Sequence, residues 1–144
     1  MSVSPNNQDC ASPERMFHES DWNLFTNSKW TLIARPTLAS AFSVLREMLI
    51  PIVICQEDLL PGTWREMLEH IALLDDPPLL IVTSRLADDR LWAEALNLGA
   101  YDVLAKPFDA REVVRIVGLA WHHWEGRHQL HANRTRQRMA ATGT

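Results

Sequence analysis

Between residues 30 and 124 the chain alternates between two textures. Short apolar runs at 30–34, 52–55, 79–82 and 101–105 are separated by longer stretches in which apolar residues recur every three or four positions. The middle two runs hold Ile, Val and Leu with no polar alternation, the pattern of strands covered on both faces by helices. The longer stretches carry helix start and stop signals. Thr37 is placed to cap a helix whose apolar face is Leu38, Ala41, Phe42, Leu45 and Leu49. Thr63 and Glu66 form a capping box ahead of Trp64, Met67, Leu68 and Ile71. Leu91, Trp92, Ala95 and Leu96 make a third face that Gly99 ends. Asp109 and Glu112 open a fourth helix, with Val113, Val117, Ala120, Trp121 and Trp124 along one side. Strands alternating with helices of this length predict right-handed βαβ units, hence an α/β fold with a doubly wound parallel sheet. Before residue 30 the pattern is polar and irregular, with a short helix suggested over 12–25.

Composition narrows the class. With 144 residues, 47% hydrophobic and 22% charged, the chain suits one folded domain and excludes collagen-like, disordered and supercharged readings. No apolar run approaches the ~18 residues of a membrane span, and no basic-then-apolar leader opens the chain, so a cytoplasmic location is expected. Cys10 and Cys55 set neither a disulfide framework nor a zinc spacing, and Cys55 reads as a small buried hydrophobe.

Charge is unevenly distributed. The net charge of −4 disfavours nucleic acid as a partner of the whole chain. Residues 125–144 nevertheless carry Arg127, Arg134, Arg136 and Arg138 against Glu125 alone, a net +3 that leaves −7 on the first 124 residues. Three segments follow: an irregular 1–29, a domain at 30–126 and a basic tail at 127–144. The tail reads as a frayed, solubilising terminus, with weak phosphate contact as the alternative. His122, His123, His128 and His131 have no Cys or acidic residue to complete a metal set and read as a solvated helix end.

In an open parallel sheet, ligands bind beyond the carboxyl ends of the strands. After the run at 52–55 come Gln56, Glu57 and Asp58; after 79–82, Thr83 and Ser84; after 101–105, Lys106 and Pro107. Three strand ends would thus bring a carboxylate, a hydroxyl and an ammonium toward one small space. A carboxylate can accept a phosphoryl group as an acyl phosphate, and a hydroxyl and an ammonium can hold its oxygens. A salt bridge of Lys106 with Glu57 is the plainer reading of the same residues.

The stretches around Gln56-Glu-Asp-Leu-Leu-Pro-Gly62, Ile81-Val-Thr-Ser84 and Gly99-Ala-Tyr-Asp-Val-Leu-Ala-Lys-Pro-Phe108 resemble the signatures of response-regulator receiver domains, the CheY-like family, over residues 30–124. The resemblance implies a five-stranded sheet of order 2-1-3-4-5, here with a short or missing first strand and an extended last helix. It places Lys106 at the family's active-site lysine, with a cis bond to Pro107, and Thr83 at the hydroxyl that relays activation, with Ser84 beside it. Glu57 falls at the phosphoacceptor aspartate, with Asp58 one step out of register. Val103 takes the switch position, and Tyr101 is expected two residues earlier on the same face.

The family's first strand ends in two acids that hold Mg²⁺. The best remnant here, residues 1–5, would put Ser4 and Pro5 in those places, so no metal or other cofactor is expected. The resemblance therefore implies a degenerate, non-enzymatic receiver of two-component phosphorelay type that works through a sensor kinase or output protein. Trp92, Trp121 and Trp124 are interface candidates, and a homodimer through the last two helices is expected; a membrane partner is not. Two alternatives stay open: a genuine Mg²⁺-dependent phosphoacceptor, and a nucleic-acid-associated protein that uses the basic tail.

Overall fold

The computed structural model describes residues 2–4, 30–57 and 63–142. The helix suggested over 12–25, Pro5 and Asp58 lie outside these residues. The strands are β1 (Ser2–Ser4), β2 (Thr31–Ile33), β3 (Ile52–Gln56), β4 (Leu79–Ser84) and β5 (Asp102–Ala105). The helices are α1 (Leu38–Glu47), α2 (Trp64–Ile71), α3 (Asp89–Leu98) and α4 (Ala110–Thr142). One sheet of order β2-β1-β3-β4-β5 holds all five strands, and β3, β4 and β5 are mutually parallel.

The short first strand fills the central slot, but in reverse. β1 is antiparallel to both neighbours, with Ser2 opposite Ile33 and Val53, and Val3 opposite Leu32 and Ile52. The flanking strands offer N–H and C=O groups that a strand of either direction can pair, and antiparallel ladders are slightly the more stable per residue. The reversal corrects the expected place of Ser4. It lies toward the amino end of β3, at the edge of the sheet opposite Glu57.

Alternation along β3 and β4 splits the core into two layers. Val53, Cys55, Leu80, Val82 and Val103 face α1, α2 and α3, packing with Leu45, Trp64, Met67, Leu91 and Ala95. Ile52, Ile54, Ile81 and Leu104 face α4, against Val113, Ile116, Val117 and Ala120. Both faces are covered, which is why these strands read as continuous apolar runs.

The expected caps are at Thr37 and Thr63, but the reciprocal capping box is the one between Thr37 and Ser40; at Thr63 the structure shows one half of the expected box, Oγ1 accepting from the Glu66 N–H. Gly99 ends α3 at φ 110°, a left-handed conformation that residues with a Cβ resist. The face expected of α3 is only half buried: Leu91 and Ala95 are inside, while Trp92 and Leu96 reach solvent.

Helix α4 is the extended last helix that was expected, and it runs unbroken through the basic tail, which had read as a frayed terminus. Past Trp124, two side chains tie it to the loop between α2 and β4. Arg127 donates to the Pro77 carbonyl, and His128 Nδ1 meets Asp76 Oδ2. Trp124 stacks on the His128 ring at 4.7 Å. Beyond these contacts, residues 129–141 are exposed apart from a half-buried Ala132.

Candidate functional site

Backbone hydrogen bonds join the carboxyl ends of β3, β4 and β5. The Glu57 N–H donates to the Thr83 carbonyl at 2.9 Å, and the Lys106 N–H donates to the Ser84 carbonyl at 2.8 Å. The three junctions that supply the candidate side chains are therefore adjacent.

The side chains then divide by strand parity. Val82 lies in the layer beneath α1–α3, so alternation along β4 puts Ser84 on that same face and Thr83 on the other, and Glu57, one residue past β3, meets Ser84. Accordingly, Ser84 Oγ donates to Glu57 Oε2 in a short contact and accepts from the Leu86 N–H at 3.0 Å. Ser84 is 4% exposed, whereas Glu57 is open to solvent. Thr83 is 1% exposed, and its hydroxyl has no partner among the described residues.

Lys106 Nζ sits 5.8 Å from the ring centroid of Phe108, a residue packed against the α4 layer. The described ion pairs are Arg65–Glu94 and His128–Asp76, and neither joins Lys106 to Glu57. The bond from Lys106 to Pro107 is cis.

Val103 is fully buried beneath α1–α3. Tyr101 is not on its face, a correction with a local cause. β5 begins only at Asp102, so the two-residue period does not extend back to Tyr101. Its ring instead packs against the α4 layer and meets His123 edge-on at 5.4 Å. Burial and then the Asp102 carboxylate raise the Tyr101 phenol above its usual range. Burial pushes the Cys55 thiol up to about 11, which keeps it neutral and unreactive near pH 7.

Among the tryptophans, Trp92 is 36% exposed, Trp121 is half-buried, and Trp124 is 5% exposed beneath its own helix. Of these three interface candidates, Trp92 offers a partner the most surface without rearrangement.

Magnesium would need several converging carboxylate oxygens. Among the described residues, no three His, Cys, Asp or Glu side chains converge, and the reversed β1 carries no acid to this edge. The described donor set does not fit the ion. A cavity of about 410 Å³, lined in part by Arg46, Ile50, Leu74 and Asp75, lies at the opposite edge of the sheet and is no part of this site.

The sequence placed Thr83, Ser84, Lys106 and Pro107 together in the expected phosphoryl pocket without telling which hydroxyl meets Glu57; the parity of the strand was the signal that could have separated them. It missed the Leu86 amide, which carries no side-chain signature.

No family model matches the chain, and no curated protein does. Solved structures do. The signal receiver domain of an HD domain-containing protein from Pseudomonas fluorescens Pf-5 is 24% identical, covering 77% of this chain and 82% of that one, with a TM-score of 0.68. A CheY-like response regulator receiver protein from Methanospirillum hungatei JF-1 is 14% identical over 76% and 87%, with a TM-score of 0.65. The beryllofluoride-activated receiver domain dimer of NtrC4 is 20% identical over 62% and 74%, with a TM-score of 0.57. The fold is that of the response-regulator receiver domains of two-component systems. Among the described residues, no helix is long and apolar enough to cross a membrane.

Proposed function

We propose that the chain is a cytoplasmic, non-enzymatic receiver-type module in which Glu57 stands in for a phosphorylated aspartate. It acts by binding a sensor kinase, an output protein or a second copy. One observation carries the reading: Ser84 Oγ already donates to the Glu57 carboxylate while holding the Leu86 amide. In the family, a hydroxyl from this strand end follows the phosphoryl group and moves the loop behind it. Here a permanent charge holds the loop without any modification. The described donor set gives Mg²⁺ no role in this state. Trp92 and Leu96, exposed side by side on α3, supply the apolar surface for a partner.

Phosphorylation is the second reading, favoured by the Thr83 hydroxyl, which is buried with no partner among the described residues. Intact-mass measurement after incubation with acetyl phosphate and Mg²⁺ separates the two. An unchanged mass is expected. A gain of about 80 Da, the mass of one phosphoryl group, that is lost in Glu57→Gln or Asp58→Asn would make the chain a genuine phosphoacceptor.

A further inference from the structure

The cavity at the amino-terminal edge of the parallel strands has no part in the Glu57 site. Its volume of about 410 Å³ falls among pockets that admit a small ligand or a pair of aliphatic side chains, about 300–1,000 Å³. Leu45 and Ile50, 6% and 2% exposed, and the buried Pro78 give it an apolar floor, while Leu49 in the same lining is 52% exposed. One wall, the loop between α2 and β4, is held from outside, since Arg127 donates to the Pro77 carbonyl and His128 meets Asp76. The cavity is thus preformed. Its charge is one-sided. Glu47, Asp75 and Asp76 line it against Arg46 alone, and α1 ends here with the partial negative charge of a helix carboxyl terminus. His128 answers Asp76, but Glu47 and Asp75 are exposed and have no ion-pair partner among the described residues.

We propose that this cavity docks a basic segment of a partner protein. Aliphatic side chains of the segment sit on the Leu45 and Ile50 floor, and flanking Lys or Arg side chains meet Glu47 and Asp75. Charge complementarity selects this occupant. The first 124 residues carry a net −7, which draws a basic segment in and repels nucleic acid and anionic lipid. An acidic or wholly apolar partner would cover Glu47 and Asp75 without supplying a counter-charge, which is costly. The cavity lies at the other edge of the sheet from Glu57 and on other elements than Trp92, so it is a second surface that does not rest on the Glu57 reading.

The test uses the full chain and fluorescence anisotropy with a labelled ten-residue peptide, two central leucines flanked on each side by four lysines. Binding is expected on the order of 10–100 μM, weakening as salt rises. Serine in place of the peptide's leucines should cost about tenfold or more, and glutamate in place of its lysines should abolish binding. In the protein, Leu49→Ser should weaken binding about five- to tenfold, and Glu47→Gln and Asp75→Asn about two- to fivefold each. Arg46→Gln should tighten it about two- to fivefold, because it removes the lining cation. Neutralising Asp89 and Asp109, exposed at the other edge of the sheet, should leave binding within about twofold. All six positions are exposed, and a thermal midpoint within about 2 °C checks that each variant folds. The proposal is overturned if the peptide does not bind, if its leucines or Leu49 make no difference, or if Arg46→Gln weakens binding. Equal losses from Asp89 and Asp109 would also overturn it. So would a dimer, seen by light scattering, that Leu49→Ser breaks, the occupant then being a second copy. Binding that appears only after Met16→Ser and Phe17→Ser would assign the cavity to this chain's own residues 5–29 and overturn it as well.

Discussion

Ser84→Ala and Thr83→Val should move stability in opposite directions, although the two residues are adjacent and both buried. In Ser84→Ala, two hydrogen bonds disappear. The bond to the Glu57 carboxylate is charge-assisted, a class worth about 1.5–3 kcal/mol, but Glu57 is exposed and water re-solvates it, so the low end applies. The bond from the Leu86 amide at 3.0 Å adds about 0.5–1 kcal/mol, because that exposed turn also regains water. The expected loss is about 2 kcal/mol, or roughly 6–8 °C in Tm for a domain of this size. In Thr83→Val the substitution removes a buried hydroxyl with no partner. Relief of its desolvation should stabilise by about 1 kcal/mol, roughly 3–4 °C. Thermal and urea unfolding with an unchanged m-value measure both. A cycle with Glu57→Ala should recover about 1 kcal/mol of coupling to Ser84 and none to Thr83. Losses of equal size at both positions, or coupling at Thr83 rather than Ser84, would refute the parity assignment.

Three further outcomes follow from the structure. Gly99→Ala meets no atom within 4 Å yet must hold φ 110°, so urea unfolding should show a loss of about 1–2 kcal/mol from backbone strain alone. Burial raises the Cys55 thiol to about 11 against about 9 for a free thiol, so its contribution to stability is complete below pH 9 and fades as pH rises toward 11. Over that window, denaturation should show a decline of up to about 1.4 kcal/mol per pH unit that Cys55→Val removes. Trp92→Ala with Leu96→Ser should leave Tm within about 2 °C, since both side chains are exposed, while light scattering or pull-down shows weakened self-association or partner capture.

Much of this architecture is legible from local rules. The unbroken Ile-Val-Leu runs of β3 and β4 foretell a sheet buried on both sides, and Thr37, Thr63 and Gly99 mark helix ends through capping chemistry that needs no tertiary context. The direction of β1 was not legible, because three residues pair equally well either way and the choice belongs to the neighbours. The site was legible as three adjacent strand ends but not as a set of contacts. A shift of one residue decides which hydroxyl meets Glu57, and that parity is fixed by which core layer Val82 enters. Tyr101 was misplaced for a related reason, since an alternation rule fails outside the strand that generates it. The last helix was legible as extended, whereas its continuation past Arg127 was not, because the apolar stripe that marks a packed helix stops at Trp124.

Hydrogen exchange at the Leu86 amide reads the account's central claim, that the Glu57 charge holds this loop through Ser84. The unmodified chain should protect that amide, Glu57→Ala should expose it, and acetyl phosphate with Mg²⁺ should change nothing. An amide that exchanges freely until the phosphoryl donor is added, and is protected only then, would contradict it.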